Sequence, residues 1–478
     1  MRRVVDDTRG RSAVGRATPA PTGGLLTENR VAGDVDRNDR AVVGLATVGH
    51  ASVHTFELAI PLFIPLWLAE FDSLNLLVAT AQFDAATAGV LVTIGYGLFG
   101  VGALPGGVLA DRVGSKRLIV ACLFGMSAAF VVLASAPSAL AVGVALALWG
   151  AAASVYHPAG LSMLSRGASE RGRAFAYHGM AGNLGIALGP FVVAIALVVA
   201  EWRTVALALA LPVLAVAALA TRIQVDERAA VDEDDATTAS DGDEDPATAS
   251  DGDDDPATAS DGGEDRTSSV DSLADFVTGS RALFVGGFAL IFPVVIASGL
   301  YYRGILTFLP EVLSTYDAFA AVAVGDLSLE TYRYAYAGLL AVGILGQYAG
   351  GRVSDLVRPE RALAPAFVAL AILAAFVLPA ANAGLLPFLA LGVLLGAALF
   401  FVQPLYQAAV ADHTPAGTRG LSYGFTYLGV FGVGALGGAI AGTILTYATP
   451  AALFLTLAAF GATGSGVGVY LLRRRRSG

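Results

Sequence analysis

The sequence predicts an all-α membrane protein of about twelve transmembrane helices, arranged as two related halves of six. Three observations carry that expectation. The chain is 55% hydrophobic and only 14% charged, whereas soluble globular proteins carry about 25% charged residues. Apolar runs of the length that crosses a bilayer, about 20 helical residues, recur along most of it. Patterns in the first half return in the second at a near-constant spacing.

Taken in order, residues 1–40 are polar, with no apolar stretch directly behind Arg2 and Arg3, and read as a disordered tail rather than a cleaved signal. Helices are predicted at 41–69, 86–110, 117–136, 139–165, 174–199 and 203–222, a first bundle spanning 41–222. Residues 223–281 form an acidic linker with a ten-residue repeat opening at Asp235, Asp245 and Asp255. Its few apolar side chains cannot build a core, so it reads as a solvated, self-repelling segment rather than a calcium loop. Helices at 282–313, 331–354, 362–381, 384–411, 420–446 and 450–472 make a second bundle over 282–472, and residues 473–478 are a basic tail.

Orientation follows from the basic residues of the short loops, which favour the cytoplasm. One set of loops carries Arg112, Lys116 and Arg117, then Arg166, Arg171 and Arg173, then Arg352, Arg358, Arg361 and Arg419. The opposite set is nearly bare of them, Arg203 and Arg333 excepted. Both termini are therefore expected on the cytoplasmic face of the plasma membrane. The basic residues mark helix ends, so no nucleic-acid partner is expected. Cys122, the sole cysteine, excludes an internal disulfide and a thiol metal site; no metal or cofactor is expected.

The duplication is visible in particular residues. Gly107-Val-Leu-Ala-Asp111 is echoed by Gly351-Arg-Val-Ser-Asp355, Pro158 by Pro404, and Arg171-Gly172 by Arg419-Gly420, at offsets of 244 to 248. The run Gly107-Val-Leu-Ala-Asp111-Arg112-Val-Gly114-Ser-Lys116-Arg117 resembles motif A of the major facilitator superfamily and falls where that family has it. The resemblance implies the major facilitator fold, alternating access, and a gating role for Asp111 and Arg112. The second copy is degraded, with Leu356 in place of the arginine and Arg358 in place of the second glycine.

The first helix carries the candidate chemistry. His50, His54, Glu57 and Pro61 share one helical face, and ionisable groups at membrane depth face a cavity or a partner. His50, Pro61 and Pro65 resemble the opening of fosmidomycin-resistance-type transporters, which have Asp where this chain has His54. Tyr156-His157-Pro158-Ala159, the run Gly182-Asn183 to Gly189-Pro190, and Arg303 with Thr307-Phe-Leu-Pro310 extend that likeness. Gly185, Gly189 and Pro190 also resemble the core of a drug–proton antiporter motif, with small-residue helix packing as the alternative. Gly434 and Gly438 form a packing stripe. The run Gly432-Val-Gly434-Ala-Leu-Gly437 is no dinucleotide fingerprint, because no strand precedes it.

His157, Asn183, Gln403, Tyr406 and Gln407 are expected to line a central cavity. Arg303, a charge inside a predicted helix, calls for an anionic substrate or a buried acidic partner. No Gly-x-x-x-x-Gly-Lys-Ser/Thr loop supports ATP-driven transport, and no activated nucleophile suggests an enzyme. The expected function is proton-coupled movement of a small organic solute, export more than import, by a protein that works as a monomer. Uptake or exchange of an organic anion is the alternative, and a transporter-like sensor signalling through its acidic linker is another.

Overall fold

The computed structural model describes residues 23–76, 78–231, 273–415 and 418–474. Within them the chain is helical apart from two short hairpins and connecting turns. The first half runs α1 (Gly23–Glu70), α2 (Ala85–Val101), α3 (Ala103–Val113), α4 (Ser115–Ala134), α5 (Ala139–Ala153), α6 (Tyr156–Gly167), α7 (Arg171–Ala196) and α8 (Trp202–Arg222). The second runs α9 (Leu273–Val285), α10 (Phe288–Ser314), α11 (Thr331–Leu356), α12 (Pro359–Ala383), α13 (Leu385–His413), α14 (Arg419–Tyr427), a π-helical segment Leu428–Val433, α15 (Leu436–Tyr447) and α16 (Pro450–Arg474).

Ten helical segments among the described residues are long and apolar enough to cross a membrane. The pair α2–α3, bent by 45°, makes an eleventh. The twelfth expected span is α11, a 26-residue helix more polar than the others. Tyr332, Arg333, Gln347 and Arg352 lower its hydropathy, while Gly343, Gly346 and Gly350 let it lie against Phe400, Ala397 and Phe401 of α13. Small residues at a helix interface substitute for the hydrophobic drive that lipid removes.

Several predicted helices are broken rather than straight. The fourth divides at Ser154–Val155 and the eleventh passes through the π-helical segment. Such breaks cluster at functional sites because they free backbone groups and re-aim side chains. The first helix begins at Gly23, inside the expected tail; residues 1–22 lie outside the described residues. Polar partners hold its end. Asn38 donates to the carbonyls of Gly167 (3.1 Å) and Asp226 (3.0 Å), and the Asp39 carboxylate accepts from the Ser169 hydroxyl at 2.6 Å. Two hairpins, Ser73–Asn75 with Thr80–Gln82 and Val322–Val324 with Leu327–Leu329, follow the first long helix of each half. From the sequence no strands are expected there. In the second, Gly325 (φ 62°) and Asp326 make the tight turn, a pairing with a known hairpin preference.

Residues 223–231 pack on the first half, and the repeat-bearing part of the linker lies outside the described residues. The turn after α3 shows why these residues are held. Gly114 takes φ 96°, accessible to glycine at little cost, so α4 starts with no side-chain cap of its own. Glu227 supplies one from the linker: its carboxylate accepts from the backbone N–H groups of Ser115 (2.7 Å) and Lys116 (2.8 Å), and the Lys116 ammonium donates to the Ile223 carbonyl. A carboxylate at a helix N-terminus satisfies orphan donors and meets the positive end of the dipole. Glu227→Ala is expected to lower stability by about 0.5–2 kcal/mol, the usual worth of a cap. A drop in the thermal unfolding midpoint, with far-UV helix content unchanged, checks it.

Candidate functional site

The two halves meet along α2 with α15, α7 with α11, and α1 with α10. Close approach along α2 depends on bare backbone. A Cβ on Gly89 would lie 2.7 Å from the Gly438 carbonyl, and Thr93 donates to the Ala435 carbonyl while accepting from the Ala439 N–H, both at 2.9 Å. Gly434 sits against Gly299 of α10. Gly434, just before α15, and Gly438 within it thus seat that segment between α10 and the first half. At the end away from Asn38, Phe191 of α7 stacks edge-on to Tyr334 of α11, and Arg333 donates to the Leu197 carbonyl.

Between the halves lies a buried ion pair. Glu57 of α1 is 1% exposed and Arg303 of α10 is 2% exposed, and the guanidinium donates directly to the carboxylate. The two residues stand 246 positions apart, inside the 244–248 repeat offset, so the pair joins equivalent positions of the duplicated unit. Arg303 also lies over the Tyr96 ring at 3.7 Å from its centroid, a cation–π contact. The Tyr96 hydroxyl donates to the Glu57 backbone carbonyl at 2.8 Å. These neighbours fix the charge pair from α2 as well as from α1 and α10.

Histidines continue the network. His54 Nδ1 lies 2.5 Å from the other Glu57 oxygen, and His54 Nε2 lies 3.1 Å from His50 Nε2. His50 Nδ1 donates to the backbone carbonyl of His178 at 2.7 Å, and the two rings stack with centroids 3.9 Å apart. His157, on the first turn of α6 after the break, faces His50 and His54 from one side and Tyr427 from the other. The chain has five histidines, and four gather here. His178 was missed by the sequence reading; counting histidines inside predicted spans would have found it. Tyr96 and Tyr156 were missed as site residues because buried tyrosines carry no pattern.

One nitrogen each of His50, His54 and His157 lies within 4.8 Å of the others, which raises the question of a metal. The His50 and His54 nitrogens that face each other are already hydrogen-bonded, and the remaining nitrogen of His54 is spent on Glu57. The arrangement reads as a hydrogen-bonded chain. Around Arg303, the Nε of Arg303 and the hydroxyls of Thr307 and Tyr336 are buried without a hydrogen-bond partner among the described residues. All three can donate, so the second half offers donors to an acceptor-rich group.

Other predicted residues fall elsewhere. Tyr406 is buried, Asn183 and Gln403 are half-buried and Gln407 is exposed, and no hydrogen bond among the described residues joins them to the ion pair. Gly185 and Gly189 of α7 meet the backbone of α1 at Ala51 and Thr55, with Pro190 buried beside them. Asp111 is exposed and pairs with Arg166 of the same half at 3.2 Å, and Arg112 and Arg117 are exposed. Gly107 lies beside Pro158. Asp355 is exposed, and the buried acid of the second copy is instead Glu360, 3.6 Å from His413.

The model of the Major Facilitator Superfamily matches residues 47–426. The chain belongs to that superfamily. Among solved structures it resembles a bacterial homolog of the human lysosomal transporter Spinster, in an inward-facing, unoccupied conformation, at 14% identity and TM-score 0.58, covering 92% of this chain and 95% of that one. It also resembles the nucleoside transporter NupG at 13% identity and TM-score 0.65, over 90% and 99% of the two chains. No curated protein matches it. The chain is thus a multi-pass secondary transporter for a small-molecule solute rather than an enzyme.

Proposed function

We propose that this transporter is proton-coupled and that Glu57, paired with Arg303 across the two halves, is its coupling acid. The observation that carries the reading is the burial of that pair on equivalent positions of the repeat. A carboxylate so placed meets its cation across the interface, and taking a proton removes that ionic contact between the halves. Proton arrival and domain motion are then one event, which is what alternating access needs.

The rest of the assignment follows the resemblance. The protein sits in the plasma membrane with both termini cytoplasmic, works as a monomer, and rocks two six-helix bundles, 41–222 and 282–472, about the site. Residues 223–281 are its cytoplasmic linker. The likeness to fosmidomycin-resistance-type transporters supports export of a drug or metabolite against protons. A second reading, uptake or exchange of a phosphorylated or carboxylated anion, is favoured by one observation: the unpartnered donors on Arg303, Thr307 and Tyr336.

The test is solute-driven proton movement in proteoliposomes, wild type against Glu57→Gln, with fosmidomycin and simple organic phosphates as solutes. Proton flux in the wild type and none in the variant is expected. Solute movement with no proton flux in either protein would sink the reading. The sign of the flux separates the directions, since export by antiport moves protons against the solute and anion uptake moves them with it.

A further inference from the structure

We infer that the chain His178 carbonyl–His50–His54–Glu57 holds one proton more than two neutral histidines and an ionised glutamate supply, and that this proton sets whether the halves share an ionic bond. The inference rests on the proton-coupled reading above for its use, but its first step is counting. The His178 carbonyl can only accept, so His50 Nδ1, 2.7 Å away, carries a hydrogen. His50 Nε2 and His54 Nε2 face each other at 3.1 Å, and two lone pairs would repel there, so one of them carries a second. His54 Nδ1 meets a Glu57 oxygen at 2.5 Å, and that contact needs a third. Two neutral imidazoles bring two hydrogens and a carboxylate none. One further proton must be in the chain.

Its resting place follows from the charges around it. Arg303 occupies the other Glu57 oxygen and favours the carboxylate as an anion. The extra proton then belongs to the histidine pair, making His54 the imidazolium that Glu57 faces. Arg303 opposes this charge and Glu57 supports it. From the remaining elements the titratable groups present are Tyr96 of α2, Tyr156 and His157 of α6, His178 of α7, Tyr302 of α10 and Tyr427 of α14, none of them an acid or a permanent cation. The Tyr156 hydroxyl donates to the Ala46 carbonyl, so it accepts from His178 Nε2 at 3.2 Å. That assigns a hydrogen to His178 Nε2. Tyr156 and His178 are therefore positioning residues, which hold the carbonyl that sets the tautomer of His50.

The working step is a single transfer. The N–H bond at His54 Nδ1 breaks, an O–H bond forms on Glu57, and the products are a neutral histidine and a neutral carboxyl. Arg303 then faces no anion, and the bond between the halves loses its ionic part. The reverse transfer, from the Glu57 O–H back to His54 Nδ1, restores the imidazolium and the carboxylate.

Histidine-selective ¹⁵N magnetic resonance of the purified protein at neutral pH tests this. The expected spectrum contains one doubly protonated imidazole, assigned to the His50–His54 pair by His50→Asn and His54→Asn, and that signal disappears in Glu57→Gln. Neutral rings only in the wild type would overturn the inference, and so would a signal that survives Glu57→Gln. The wild-type spectrum decides even where a variant fails to fold. Proton flux in proteoliposomes is a separate readout: flux without the imidazolium removes this inference and leaves the coupled reading, whereas the imidazolium without flux does the reverse.

Discussion

Arg303→Gln is expected to abolish transport and to cost the fold about 3–5 kcal/mol, the usual penalty for stranding one partner of a buried ion pair. The size follows from burial. Glu57 is 1% exposed and Arg303 is its partner across the interface, so removing the guanidinium leaves a buried carboxylate with one of its two oxygens stripped of its partner and only His54 on the other. The cation–π contact with Tyr96 goes with it. Glu57→Gln with Arg303 intact strands the opposite charge and is expected to cost a similar amount. The double variant Glu57→Gln/Arg303→Gln leaves no buried charge and is expected to regain most of the stability while remaining inactive. Thermal unfolding of the four proteins in one detergent, closed as a double-mutant cycle, reads the stability arm. If the double variant is no more stable than either single one, the pair is not a mutual partner. If it transports normally, the pair has no place in coupling.

How much of this was legible beforehand depends on what kind of pattern each feature leaves. Helix number, the duplication and the resemblance to the superfamily were readable because they rest on apolar runs and fixed offsets. The face carrying His50, His54 and Glu57 was readable because ionisable residues in a span are rare. Arg303 was recognised as needing an anion or an acid. That the acid is Glu57 was not seen, although the repeat offset puts the two residues at equivalent positions. The offset relates charges as well as motifs. Glu227 as the cap of α4 was beyond reach, since the two sites lie more than a hundred residues apart and neither carries a signature. The hairpins were missed because two three-residue strands are too short for periodicity to register.

Gly185→Val is expected to prevent accumulation of folded protein, whereas Gly179→Val, six residues earlier on the same helix, is expected to be tolerated. The two glycines differ in what a side chain would meet. At Gly179 nothing lies within 4 Å of an added Cβ, while at Gly185 it would land on the backbone carbonyl of Ala51 in α1. A flexible side chain could turn away from such a contact, but a helix backbone cannot without moving the helix. Overpacking of this kind costs about 1–3 kcal/mol even where neighbours yield, and here yielding would shift α1. Gly189 extends the same seam, with an added Cβ 2.8 Å from the Thr55 Cα, and Gly182 lies against the His50 ring. The seam is therefore what lets His50 reach the His178 carbonyl. This bears on the antiporter-like likeness of the segment, because packing alone accounts for Gly185 and Gly189. Gly185→Ala separates the two roles. If it folds but alters only the direction or coupling of transport, the segment has an export-specific part. If folded yield and all transport modes fall together, the glycines serve to bring α7 against the helix that carries Glu57.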